Sequence, residues 1–360
     1  MHPVSTTFPA TESRFLPSVP IGFAIGDREP LVFALRRVAV EQCDLALHAL
    51  AEGPTDAAVH EVRKSSKRLR AMLRLVRREI GHDRYSIENS VLRDAARVLS
   101  PLRDAHVHAV SLDLLRDRFS GHLDPAAFAE LSDRLHQRRI LVHAAALESG
   151  EWRKVVYSLR SARARYAAWP VDPESAAAHG MAVVRHRFRS VADGLARTYG
   201  RGRQEMGEAL RRPTADNFHA WRKRAKYLRH QLELLTPIFP DLVGGHAIAL
   251  ARLGELLGEE HDLAELLRLL AARPELCSDP LERSLLVAIV QHRRVELQSA
   301  ASSLGRRVYA EPAARFLQRA AEYWEEWDAP VPVGVNRPSL ERDEHDDGFD
   351  RQHLGGGGHR

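Results

Sequence analysis

VHEVRKSSKRLR, residues 59–70, and FHAWRKRAKYLR, residues 218–229, decide how this 360-residue chain is read. The chain has 53 basic residues, of which only five are lysine: Lys64, Lys67, Lys154, Lys223 and Lys226. Four of the five fall in these two segments. At an offset of 159 positions, His60 matches His219, Arg63 matches Arg222, Lys64 matches Lys223, Lys67 matches Lys226 and Arg70 matches Arg229. Both copies read H-x-x-R-K-x-x-K-x-L-R and run into an apolar stretch (MLRLV, QLELL). Self-similarity of this kind marks a repeated supersecondary unit. A second pair, LSPLRDA (99–105) and LGEEHDL (257–263), aligns at an offset of 158 and matches Asp104 with Asp262.

On a helix, His60, Arg63, Lys64, Lys67, Arg70 and Arg74 share an arc of about 120°. Val62, Leu69, Met72, Leu73 and Val76 lie opposite. In the second copy His219, Arg222, Lys223, Lys226, Arg229 and His230 fill the same arc, with Trp221, Leu228, Leu232 and Leu235 on the other side. The ordinary explanation of a charged face is the solvated side of an amphipathic helix. Such faces mix signs, because like charges one turn apart repel by a few tenths of a kcal/mol. The first stripe has no acid within its arc, and the second has only Glu233. Arginine forks hold two phosphate oxygens at fixed geometry, lysine supplies a mobile point charge, and histidine adds a proton when an anion arrives. From His60 to Arg74 the stripe spans fourteen rises, about 20 Å. That length suits an extended polyanion.

Net charge is +5. From Ala329 onward four arginines face six acids, or −2, so residues 1–328 carry +7. A basic body favours polyanionic partners. Cys43 and Cys277 fit no disulfide framework and no paired-thiol metal spacing, which favours a reduced, cytoplasmic setting. No signal peptide and no membrane span are read, and the oligomeric state is left open. The histidines His106, His108 and His261, the last followed by Asp262, invite a metal reading. Lysine and arginine neighbours on the stripe repel a cation, so no metal and no cofactor is expected. Asp104 and Asp262 are read either as partners that orient or neutralise stripe residues or as plain helix caps.

Apolar spacings of three and four run from about Pro30 to Asp328, with no period-two alternation, so an all-α fold is predicted. Breaks are read at 53–56, 81–85, 120–125, 169–174, 211–216, 236–245 and 277–280. The organisation expected is a poorly ordered segment 1–29, a first helical half 30–168, a linker 169–175, a second half 176–328 and a disordered acidic tail 329–360.

VHEVRKSSKRLRAMLRLV with LRDAARVLSPLRDA, then FHAWRKRAKYLRHQLELL with LGELLGEEHDLAELL, resembles the CHAD family, the conserved histidine α-helical domain. The resemblance covers about residues 30–328. It implies two antiparallel helical bundles, related by a pseudo-two-fold axis, around a basic central channel. It also implies binding of inorganic polyphosphate at polyphosphate granules, through His60, Arg63, Lys67 and Arg70 and through His219, Arg222, Lys226 and Arg229. Some family members are fused to a triphosphate-tunnel (CYTH) domain, but no E-x-E-x-K strand pattern precedes this body. Ser100 stands where a glycine is common, His261 where Asn or Arg is common, and Lys64 and Lys223 where many members are apolar. The expectation is therefore a non-enzymatic polyphosphate binder. Non-specific RNA or DNA binding, or an accessory or enzymatic role in polyphosphate metabolism, is the alternative.

Overall fold

The computed structural model describes residues 22–178 and 183–330. Among the described residues every regular element is helical, so the all-α class stands. The first half carries α1 (Leu31–Ala49), α2 (Asp56–Leu75), the short α3 (Arg77–Ile80), α4 (His82–Val98), α5 (Ser100–Arg118), α6 (Ala129–Ser149) and α7 (Trp152–Ala167). After the short α8 (Pro173–Ala178) come α9 (Arg189–Arg211), α10 (Ala215–Leu235), α11 (Gly245–Ala272), α12 (Pro280–Val308) and α13 (Ala313–Asp328).

The two motif helices start in the same way. Thr55 caps α2 by accepting from the Ala58 N–H at 3.2 Å, and Thr214 caps α10 by accepting from Asn217 at 3.3 Å. Each threonine follows a proline and satisfies a donor that the first turn leaves orphaned. The apolar arcs then bury as their spacing predicts. Val62, Leu69, Met72, Leu73 and Val76 are inaccessible, and Trp221, Leu228, Leu232 and Leu235 nearly so. Each such aliphatic side chain contributes roughly 1.5–3 kcal/mol over an exposed one.

Packing relations recur along the chain. α1 packs on α2 and α7, and α9 packs on α10 and α13; α4 lies on α2, and α11 on α10. The halves meet where α2 crosses α10 and where α5 meets α11. The crossing is tied by the buried Gln231 Nε2, which donates to the Ala71 carbonyl at 3.1 Å. Nearby, Gly194 of α9 lies so close to the Leu75 backbone that a Cβ would overlap its carbonyl. A second, smaller core unites Leu112, Leu115 and Leu131 of α5 and α6 with Leu266, Leu286 and Val290 of α11 and α12.

Several expectations are corrected here. Residues 22–29, placed in a poorly ordered segment, are partly packed: Ile25 is buried, and its N–H donates to Leu234 at 2.9 Å. The remainder of that segment lies outside the described residues. Trp169, at the start of the expected linker, is buried against Tyr166 with ring centroids 5.3 Å apart, and α8 begins within that linker. Of the tail, Ala329 accepts a hydrogen bond from Arg28 at 2.8 Å, and residues 331–360 lie outside the description. Helix ends at Leu99, at Gly150 and at Tyr309 were not foreseen, nor was the one at Val76 that parts α2 from α3. The first matters for the site, because it splits α4 from α5 where the corresponding α11 runs unbroken for 28 residues.

Candidate functional site

A cleft of about 510 Å3 opens between the α2–α10 crossing and the helices α5 and α11. α2 contributes His60, Arg63, Lys64 and Lys67, and α10 contributes Arg222, Lys226 and Arg229. α5 adds Arg103, His106 and Arg118; α11 adds Gly254, Glu255, Gly258, Glu259 and Asp262. Seven of the twelve stripe residues therefore share one concave surface.

The most enclosed groups are cations. Burial, then the guanidiniums of Arg63, Arg222 and Arg103, holds the Lys67 ammonium down to about 7. Burial, then Arg222 and Lys67, holds Lys226 down to about 6. Burial also lowers Arg63 and Arg222 below the usual arginine range. Among the described residues none of these four cations has a carboxylate at ion-pair distance. Arg63 instead donates to the Ala96 carbonyl at 2.8 Å and to Ser100 Oγ at 3.0 Å. Arg222 has a buried Nε with no partner. Glycines make room for the second-half pair: a Cβ at Gly254 would lie 3.9 Å from Lys226, and one at Gly258 3.8 Å from Arg222 Nε.

Asp262 is the carboxylate that faces this cluster, and Arg103 of α5 reaches across to it at 2.9 Å. Asp262 thus pairs with an arginine outside the stripe, and no stripe residue lies at ion-pair distance from it among the described residues. Asp104 does not line the cleft; it is half-exposed and lies 3.6 Å from Arg103. Arg103 itself was missed. The signal was available: it lies within LSPLRDA, one position before Asp104 and in register with His261.

The remaining stripe residues go elsewhere. Arg70 donates to Asn89 at 3.2 Å, and Arg74 stacks 4.1 Å from the Tyr227 ring centroid while donating to the Arg70 carbonyl. Lys223 is exposed and outside the cleft. The buried His230 bonds Glu233 at 2.8 Å. His219 stacks on His261, with Nδ1 atoms 3.1 Å apart; burial and then Lys223 hold His219 down to about 4. At the cleft, His60 is lowered by burial and by Lys67, while Lys64 leans on Glu61 at 3.1 Å and Arg229 on Glu233 at 2.6 Å. Lys64 and Arg229 thus have an acid, and Lys223 exposure to water, that the inner four lack; Arg74 has no carboxylate at ion-pair distance among the described residues and is covered by the Tyr227 ring instead.

Among the described residues no group of three or more His, Cys, Asp or Glu converges as metal ligands would, and no helix is long and apolar enough to cross a membrane. A larger cavity, about 720 Å3, lies beside α4 and α7; its carboxylate Glu88 is already held by Arg165 at 2.6 Å.

Three comparisons bear on these observations. No curated protein matches the chain. Among solved structures, the crystal structure of the CHAD domain from the plant Ricinus communis is similar at 18% identity and a TM-score of 0.51, over 84% of this chain and 94% of that one. At that identity the likeness speaks for the fold. The family model described as the CHAD domain matches residues 37–271. That match spans more than half of the chain and includes both motif helices, so the protein belongs to the CHAD-domain family.

Proposed function

We propose that the cleft binds inorganic polyphosphate without chemical turnover and so holds the protein at polyphosphate granules in the cytoplasm. The observation that carries this reading is the group of four enclosed cations, Arg63, Lys67, Arg222 and Lys226, none of which has a carboxylate at ion-pair distance among the described residues, while Asp262 between them is taken by Arg103. Enclosing a charge without a partner costs several kcal/mol per ion. A phosphate chain entering the cleft supplies the missing partners at once. It carries a charge on every unit, and arginine and lysine are the side chains suited to hold it. Membership of the CHAD family, whose resemblance implied polyphosphate from the sequence, agrees with this reading.

Binding is favoured over catalysis because Asp262, the acid that acts on all four cations, is engaged by Arg103 rather than left free as a base or ligand. Single-stranded nucleic acid is the weaker partner. Such recognition rests on aromatic platforms for the bases, and the cleft is lined by no Phe, Tyr or Trp.

Competition tests the reading. Labelled long-chain polyphosphate is challenged with tRNA, duplex DNA and unlabelled polyphosphate at matched phosphate concentration and physiological salt. Unlabelled polyphosphate is expected to displace the label at a far lower concentration than either nucleic acid. Equal displacement by all three would replace the proposal with non-specific polyanion binding.

A further inference from the structure

α5 has two apolar faces, and only one of them builds a core. Leu102, Ala105, Ala109 and Leu112 are buried. Val107, Val110 and Leu114 belong to neither hydrophobic cluster, yet all three line the cleft. Leu114 is 63% exposed. A lone exposed leucine needs no explanation. Three aliphatic residues at i, i+3 and i+7 do, when they share an arc of about 80° with Arg103 and Arg118. The cleft side of α5 therefore reads, from the enclosed end outward, as guanidinium, aliphatic strip, guanidinium. Arg103 is engaged by Asp262 and Arg118 by Glu296 at 2.9 Å.

A bare phosphate chain gains nothing from that strip, because every unit is charged and prefers water to methyl groups. We propose that the cleft also takes nucleoside polyphosphates, with the phosphates on Arg63, Lys67, Arg222 and Lys226 and the base against Val107, Val110 and Leu114. Arg103 lies seven rises from Val110 and eleven from Leu114, about 10 and 16 Å along the axis. An extended triphosphate and ribose separate a base from its terminal phosphate by a comparable length. Ser111 lines the same wall and offers a hydroxyl to the sugar or the base edge. An apolar wall with a few convergent polar groups is the usual make-up of a small-molecule site.

Equilibrium dialysis of labelled ATP and of labelled inorganic tripolyphosphate, in magnesium-free buffer, tests this. Both carry three phosphates, and ATP has the lower charge, so charge alone predicts that tripolyphosphate binds as tightly or tighter. The aliphatic strip predicts the reverse, with ATP at least fivefold tighter. In a Val110→Ser, Leu114→Ser variant that difference should vanish while the Kd for tripolyphosphate stays within twofold. Both positions lie outside the cores, and an unchanged melting temperature will confirm the variant's fold. ATP binding no tighter than tripolyphosphate, or an ATP advantage that survives the variant, overturns the proposal. Failure of long-chain polyphosphate to bind would overturn the polyphosphate reading alone, since neither probe here depends on it.

Discussion

α2 and α10 carry the same motif but present different parts of it to the cleft. Arg63 and Lys67 on one helix, and Arg222 and Lys226 on the other, enter as matched pairs. Outside those positions the match fails: Lys64 enters and Lys223 does not, while Arg229 enters and Arg70 does not. The helices cross near these central residues, and side chains a turn away leave the crossing on different sides. Repetition in sequence therefore identifies the shared centre of the site, and the crossing decides its periphery. The central arginines differ too. Arg63 is fastened to Ala96 and Ser100, whereas Arg222 lies beside Gly258 with its Nε unpartnered.

The largest expected effect separates centre from periphery. Changing Lys67 and Lys226 together to Gln removes two charge-assisted contacts, each worth about 1.5 kcal/mol or more, so polyphosphate affinity should fall about a hundredfold. The same change should raise the melting temperature, because folding no longer has to bury or deprotonate two ammonium groups. Lys223→Gln should change affinity less than twofold. Titration of each variant by isothermal calorimetry checks this, and a Lys223 effect equal to that of Lys226 would dissolve the distinction into diffuse net charge.

Proton linkage sharpens the same contrast. Folding lowers Lys67 from 10.5 to about 7 and Lys226 from 10.5 to about 6. Between those values and 10.5 the unfolded chain holds more protons than the folded one, so stability rises with pH across that window. The penalty is fully present below pH 6 and relieved as pH rises. Anion binding runs the other way, since a phosphate beside each ammonium favours the charged form. Affinity should therefore decline from pH 6 to pH 9, with net proton uptake on binding. Calorimetry in buffers of different ionisation enthalpy reads that uptake directly. Replacing both lysines with Arg, which stays charged, should abolish most of it and flatten the pH profile; an unaltered uptake would place the protons elsewhere.

Much of this was legible from the chain. Periodicity located the helices and their buried arcs, because a wheel fixes the angle of every residue about its own axis. It does not fix where a second helix crosses, and so Arg70, Arg74, His219, Lys223 and His230 were placed with the site although they lie outside the cleft. The break at Leu99 was hidden because the apolar spacing continues through it, although Pro101, which fits only the first turn of a helix, marks the new start. Packing of Ile25 and Trp169 depends on distant residues, and a short segment carries no periodic signal of such contacts.

The smallest expected effect concerns Ser100 and Gly258, which occupy matched places beside the two central arginines. The Arg222 Nε is an orphan donor in the free protein, so an anion that accepts from it gains a hydrogen bond at little cost. Gly258→Ser brings a hydroxyl to the place from which Ser100 serves Arg63. With its donor satisfied before binding, Arg222 exchanges one hydrogen bond for another instead of gaining one, and affinity should fall two- to fivefold. Replacing a mid-helix glycine with alanine stabilises α11 by roughly 0.5–1 kcal/mol and serine does so by less, so a rise in melting temperature alone proves nothing. Gly258→Ala is the control, since its methyl would sit in ordinary contact 3.8 Å from Arg222 Nε and accepts no hydrogen bond. Alanine should leave affinity unchanged where serine lowers it. If both lower it equally, the glycine serves only to make room, and the two arginines are equivalent after all.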